Sequence, residues 1–160
     1  MSLCDLRSQN PELYEQLEQI ADKKTRPFCY LCYIDAPSGR CPRCGTDDLM
    51  RHLPGVGVEY GYEWVIEHLL GQEVDEITED EQAEYFKDFI DSCYGEDTQL
   101  AFLNVNTGWA VQKLDPIAFD MAKDEYFMED AHVEIDGKLY CMSVIEEWAA
   151  AQLMEVEEEK

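Results

Sequence analysis

The sequence predicts an α+β fold: a small four-cysteine module followed by a mostly helical acidic domain that includes a β-hairpin. Three observations carry this. Helix-start signals precede several stretches of 3.6-residue apolar periodicity, an Asp-Gly pair separates two alternating segments, and four cysteines occur as two C-x2-C pairs. The chain is 46% apolar and 11% aromatic over 160 residues, enough for a packed core. That aromatic content sets it apart from disordered chains of similar net charge, which lack large apolar side chains.

Asn10-Pro11-Glu12 opens the first predicted helix, with Asn at the cap, Pro at the first helical position and an acid in the first turn. Leu13, Leu17 and Ile20 give it one apolar face to about Lys23. The cysteine segment follows. His52-Leu53-Pro54-Gly55-Val56-Gly57 reads as a connection and as the boundary between modules. Gly61 to Leu70 carries Trp64, Val65, His68 and Leu69 at helical spacing, with Gly71 as the stop.

Thr78-Glu79-Asp80-Glu81 is a capping box, in which hydroxyl and carboxylate each accept from a free backbone N–H. The helix it opens places Ala83, Phe86, Phe89, Ile90 and Cys93 on one face and ends at Gly95. Leu100 to Val105 is a candidate strand. Asp115-Pro116 starts a helix with Ile117, Phe119, Met121 and Tyr126 for burial. Val133 to Cys141 is a hairpin, because Asp136-Gly137 suits a type I′ turn. Ser143-Val144-Ile145-Glu146 is a second capping box before a last helix with Ile145, Trp148, Ala149 and Leu153. The expected organisation is an N-terminal helix and Cys4 module over 1–55, an acidic α+β domain over 56–154, and a fraying acidic tail over 155–160.

Charge is divided unevenly. Residues 1–55 hold eight acidic and seven basic side chains, a net of −1; residues 56–160 hold twenty-eight and five, a net of −23. Such a surface opposes anionic membranes and direct nucleic-acid binding. The segment MSLCDLRSQNPEL has neither the charged nor the apolar region of a secretory signal, and no apolar run nears the ~20 residues of a membrane span. A cytoplasmic protein is expected.

Seven cysteines fit poorly with a closed disulfide set. Four follow Cys29-x2-Cys32-x8-Cys41-x2-Cys44-Gly. Each C-x2-C puts two thiolates on one tight turn, so two such turns supply the four ligands of a tetrahedral zinc. Pro42 stiffens the second turn, Gly45 lets the chain leave it, and Asp35 to Gly39 is turn chemistry between the two. Iron in a rubredoxin-like site, disulfides and core cysteines are the alternatives; a redox C-x2-C would need a helix start in a βαβ setting. Over about residues 27–46 the segment resembles the zinc-ribbon or zinc-knuckle class, which implies one structural zinc per chain. A closed Cys4 site has no open position for substrate. Lys23, Lys24, Arg26, Arg40, Arg43 and Arg51 surround it, interleaved with Phe28, Tyr30 and Tyr33. Basic and aromatic residues together can hold single-stranded nucleic acid. The preferred reading is that these cations offset the thiolates or dock the module onto the acidic domain.

No catalytic constellation is legible. His52, His68 and His132 lie in no metal or acid–base motif, Cys93 and Cys141 fall at apolar positions, and Gly55-Val56-Gly57 lacks the Lys and Ser/Thr of a phosphate loop. A non-enzymatic protein is expected.

Glu81, Glu84, Asp88 and Asp91 run along the solvent side of one predicted helix, a carboxylate about every 5 Å. Duplex DNA carries a charge about every 1.7 Å of axis, so one such row is too sparse to imitate it. Taken as one body, residues 56–160 do better, since −23 matches about 39 Å of duplex on a globule roughly 34 Å across. Self-repulsion on this scale costs stability and exceeds what solubility needs. The expected partner is therefore a protein with a basic nucleic-acid-binding surface, inhibited or modulated by charge mimicry, with those four carboxylates as the partner face. In this respect the chain resembles small phage- or plasmid-encoded antagonists of restriction and CRISPR systems, and LDPIAFDMAKDEYF is similar to segments of uncharacterised phage-type proteins. That resemblance implies action in a host-cell cytoplasm and transfers no residue roles. The alternative is an adaptor whose zinc module docks on transcription or replication machinery.

Overall fold

A computed structural model describes residues 1–128 and 131–158. The fold is α+β, with seven helices and eight short antiparallel strands among the described residues. The chain divides into two compact units. One comprises Ser2–Asp75 and Met142–Lys160; the other comprises Glu76–Cys141 together with Met1. The seams thus fall at 75/76 and 141/142, where the sequence reading placed one at 55/56. The reason is packing: the predicted helix after Gly61 and the C-terminal helix bury their apolar faces with the N-terminal helices.

The unit that carries the cysteines begins with α1 (Leu3–Gln9), which the sequence reading passed over. Its signal was present: the Ser2 hydroxyl accepts from the Asp5 N–H at 3.2 Å, and the Asp5 carboxylate accepts from the Ser2 N–H at 2.9 Å. α2 (Pro11–Lys24) starts as expected, with the Asn10 side chain accepting from the Leu13 N–H, and buries Leu13, Tyr14, Leu17, Ile20 and Ala21. α3 (Glu63–Glu73) runs through Gly71 and stops at Val74, so that glycine is no stop. Burial of Val65, Ile66, Leu69 and Leu70 outweighs the roughly 1 kcal/mol helix penalty of one glycine. α7 (Met142–Glu158) begins before Ser143, which lies inside the first turn instead of capping it. The helix continues through most of the predicted tail; Glu159 and Lys160 lie outside the described residues.

α2 packs against α1, α3 and α7. Glu73 ties three of these elements, pairing with Lys24 at 3.2 Å and accepting from the Trp148 indole N–H at 2.9 Å. A four-stranded antiparallel sheet completes the unit: β1 (Arg26–Cys29), β2 (Ile34–Asp35), β3 (Met50–Leu53) and β4 (Gly57–Glu59), in the order β2-β1-β3-β4. The predicted connection at 52–57 is therefore the tight β3–β4 turn and its flanking strand residues.

The Glu76–Cys141 unit contains α4 (Glu79–Tyr94), β5 (Asp97–Leu100), β6 (Leu103–Asn106), α5 (Thr107–Leu114), α6 (Pro116–Phe127), β7 (His132–Ile135) and β8 (Lys138–Cys141). Thr78 and Glu81 form the predicted capping box. Phe86, Ile90, Phe119 and Phe127 form one buried cluster of this unit, in which Val133, Ile135 and Tyr140 are buried as well. Phe89 and Cys93 are exposed, however, and so are Ile117 and Met121. The single strand expected at 100–105 is a β5–β6 hairpin turning at Ala101, whose φ is 55°. The β7–β8 turn has φ of 56° at Asp136 and 75° at Gly137, as a type I′ turn requires.

α5, also unforeseen, is seated by Gly108. A Cβ there would lie 2.8 Å from the Lys87 carbonyl oxygen and 2.9 Å from its Cα, so only glycine permits this approach to α4. Asp91 holds the same junction, accepting from the Gly108 N–H at 2.7 Å and the Asn106 side chain at 2.9 Å. Gly108→Ala is expected to lower unfolding stability by about 1–3 kcal/mol through overpacking, read from the urea midpoint.

Candidate metal centre

The β1–β2 hairpin builds half of the centre. Cys29 ends β1 opposite Ile34, and Cys32 lies in the turn between the strands. The second half, Cys41 to Cys44, sits in the loop between β2 and β3. It is closed by backbone bonds from the Cys41 N–H to Thr46 O and from the Gly45 N–H to Cys41 O, both 2.9 Å. The four Sγ atoms all lie within 4.8 Å of one another, and those of Cys29 and Cys44 are 3.7 Å apart. A tetrahedron with metal–sulfur bonds of about 2.3 Å has edges of about 3.8 Å. The predicted ligands Cys29, Cys32, Cys41 and Cys44 are thus brought together in a site that can hold one metal ion.

As free thiols Cys41 and Cys32 differ in their tendency to ionise. The Cys44 backbone N–H, followed by that of Arg43, stabilises the Cys41 thiolate and lowers its pKa to about 6. Desolvation, then the neighbouring Cys44 and Cys41, pushes Cys32 up to about 12. A divalent cation would remove this conflict by neutralising the thiolates together.

The two turns share one backbone feature and differ in the residue that carries it. In each, the residue after the second cysteine is left-handed: Gly45 has φ 75° and Tyr33 has φ 58°. A non-glycine residue there costs roughly 1–2 kcal/mol. Tyr33 meets Phe28 edge-on at 5.2 Å and Tyr30 at 6.4 Å, yet it is 74% exposed. Tyr30 and Leu31 beside it are also exposed, so the first turn ends in an apolar tip. The sequence reading noted both tyrosines but had no signal for the strained backbone.

Half of the surrounding cations are engaged within the unit. Arg51 binds the end of α2: it donates to the Thr25 hydroxyl at 2.9 Å and the Asp22 carbonyl at 3.0 Å, pairs with the Asp22 carboxylate at 2.9 Å, and stacks on Tyr62 at 5.2 Å. Arg26 meets Asp35 at 3.6 Å, and Lys24 meets Glu73. Lys23, Arg40 and Arg43 are exposed.

Elsewhere, the four carboxylates expected as a partner face differ in availability. Glu81 closes the capping box, where the Thr78 N–H and hydroxyl hold its carboxyl below the ordinary range. Glu84 pairs with Lys87, and Asp91 is half-buried at the α4–α5 junction. Asp88 is exposed. The histidines are dispersed. His52 Nδ1 lies 3.1 Å from Asp35, His68 is half-buried, and His132 packs edge-on to Phe127 at 4.9 Å. Burial, then the nearby N-terminal amine, lowers the His132 pKa. Cys93 is exposed, and Cys141 lies opposite His132 in the β7–β8 register. Among the described residues the four cysteines form the one cluster placed to hold an ion. Among the described residues no helix is long and apolar enough to cross a membrane.

The chain matches no protein-family model, and no curated protein or solved structure is significantly similar to it.

Metal analysis of the purified protein is expected to give about one zinc ion per chain, and Cys29→Ser with Cys41→Ser to abolish it. Tyr33→Gly should keep the metal and raise stability by up to roughly 1 kcal/mol by relieving the left-handed backbone, measured by denaturant titration.

Proposed function

We propose that this is a non-enzymatic zinc protein that binds a basic nucleic-acid-binding protein and inhibits or modulates it by imitating nucleic-acid charge. Zinc is favoured by the donor set, because four soft thiolates on two tight turns suit a closed tetrahedral ion. Its role is to hold the small sheet together, with no position left for substrate.

One observation carries the charge reading. The Glu76–Cys141 unit has seventeen acidic and four basic side chains, a net of −13. Fourteen of its described carboxylates are exposed. Three of its four lysines already pair within the unit, with Glu84, Asp120 and Glu76. Thirteen charges correspond to about 22 Å of duplex, on a unit roughly 28 Å across. The density remains near that of DNA, though the contributing surface is wider than the α4 row. The cysteine-bearing unit is not near-neutral either, since nineteen acidic against eight basic side chains leave it at −11. Both units therefore favour a cationic target, and action in the cytoplasm suits such a target.

A second reading rests on the strained Tyr33 and the exposed Tyr30 and Leu31. An apolar tip maintained at a backbone cost suits an adaptor that docks its zinc module on transcription or replication machinery.

Competition separates the two. With partner recovered from the native host, mimicry requires that added protein release bound duplex DNA or RNA and retain none itself. It also requires affinity to fall roughly a thousandfold between about 50 and 200 mM salt, as for a surface of several phosphates. A ternary complex with nucleic acid still bound would favour the adaptor and overturn mimicry.

A further inference from the structure

We propose that the solvent face of α6 is a docking surface for a basic amphipathic helix of the partner. This rests on the charge reading above and adds an apolar component to it. α6 turns Phe119 and Phe127 into the core. Its opposite side carries Ile117 and Met121, with Met128 just past the helix end; they are 74%, 70% and 72% exposed. At 3.6 residues per turn, positions 117, 121 and 128 fall within roughly 40° of one another, a stripe about 16 Å long. Single exposed apolar side chains are ordinary, but an aligned set on a highly charged surface marks an interaction site.

Charge decides the occupant. Asp120 and Glu125 flank the stripe and Asp124 lies within it, all exposed. The one lysine of α6, Lys123, is held by Asp120 at 3.6 Å. Asp124 and Met128 also line a cavity of about 260 Å³ that Glu79, Glu134, Phe127 and Leu139 help to form. A lysine or arginine fits this lining, its aliphatic stem against the apolar groups and its charge among the carboxylates. The flexible thioethers of Met121 and Met128 adapt to an apolar helix face laid along them. A bare polycation would satisfy the carboxylates and leave the stripe in water. A second copy of the chain would bring another −24 to the same surface.

The test uses the full-length, metal-loaded protein and two probes of equal charge: an amphipathic Leu–Lys helical peptide and oligolysine. The expected result is that the Leu–Lys peptide shifts the methyl resonances of Met121 and Met128 in NMR spectra and binds at least about tenfold more tightly. Ile117→Ser with Met121→Ser should remove that advantage; both side chains are exposed, so the fold should survive, which circular dichroism checks. Equal binding of the two probes would overturn the docking surface while leaving the charge reading in place. So would unchanged Leu–Lys affinity in the double variant, or methyl shifts confined to other methionines. Failure of both probes to bind would overturn both readings.

Discussion

The convergence of four sulfur atoms is the constraint on which the first unit depends. The strands of its sheet are two to four residues long, and few side chains on them are buried, chiefly Phe28, Cys29 and Leu53. A sheet this small gains little from apolar burial, and a metal held by the four cysteines would supply a cross-link where the core is thin. The same ion would settle the electrostatics of the site. Thiols placed this close have divergent tendencies to ionise, with Cys41 lowered and Cys32 raised, and only a cation makes four thiolates compatible.

Scarcity of cations governs the rest. Twelve basic face thirty-six acidic side chains, and six of the twelve pair with a carboxylate of their own unit. Arg51 is the clearest case, joining β3 to the end of α2 through the Thr25 hydroxyl, two carbonyl oxygens and Asp22. Its planar fork satisfies these groups together, which a lysine could not. Half of the basic cluster around the cysteines is thus internal structure, with Lys24, Arg26 and Arg51 paired to Glu73, Asp35 and Asp22 and with Lys23, Arg40 and Arg43 exposed.

Carboxylates divide between two roles that composition cannot separate. Some satisfy backbone N–H groups and are part of the fold, as Asp5, Glu81 and Asp91 are. Others, such as Asp88, are exposed to water and raise the self-repulsion of the unit. The difference is geometric. Asp91 and Asp88 are alike in type and in helix, but Asp91 faces the start of α5 and Asp88 faces solvent.

What the sequence by itself determined was local. Both C-x2-C turns, the caps at Asn10, Thr78 and Asp115, the Asp136-Gly137 turn and the α+β class depend on a few adjacent residues and short-range hydrogen bonds, so they could be read directly. Only the tertiary structure decided which apolar faces were covered and by what. Periodicity marked Ile117 and Met121 for burial, but α6 has one inward face, and Phe119 and Phe127 occupy it. Burial likewise carried α3 through Gly71 and joined α7 to helices far back in the chain. Long-range packing selects among local options of similar energy, and no short window of sequence records which option its distant partners will favour.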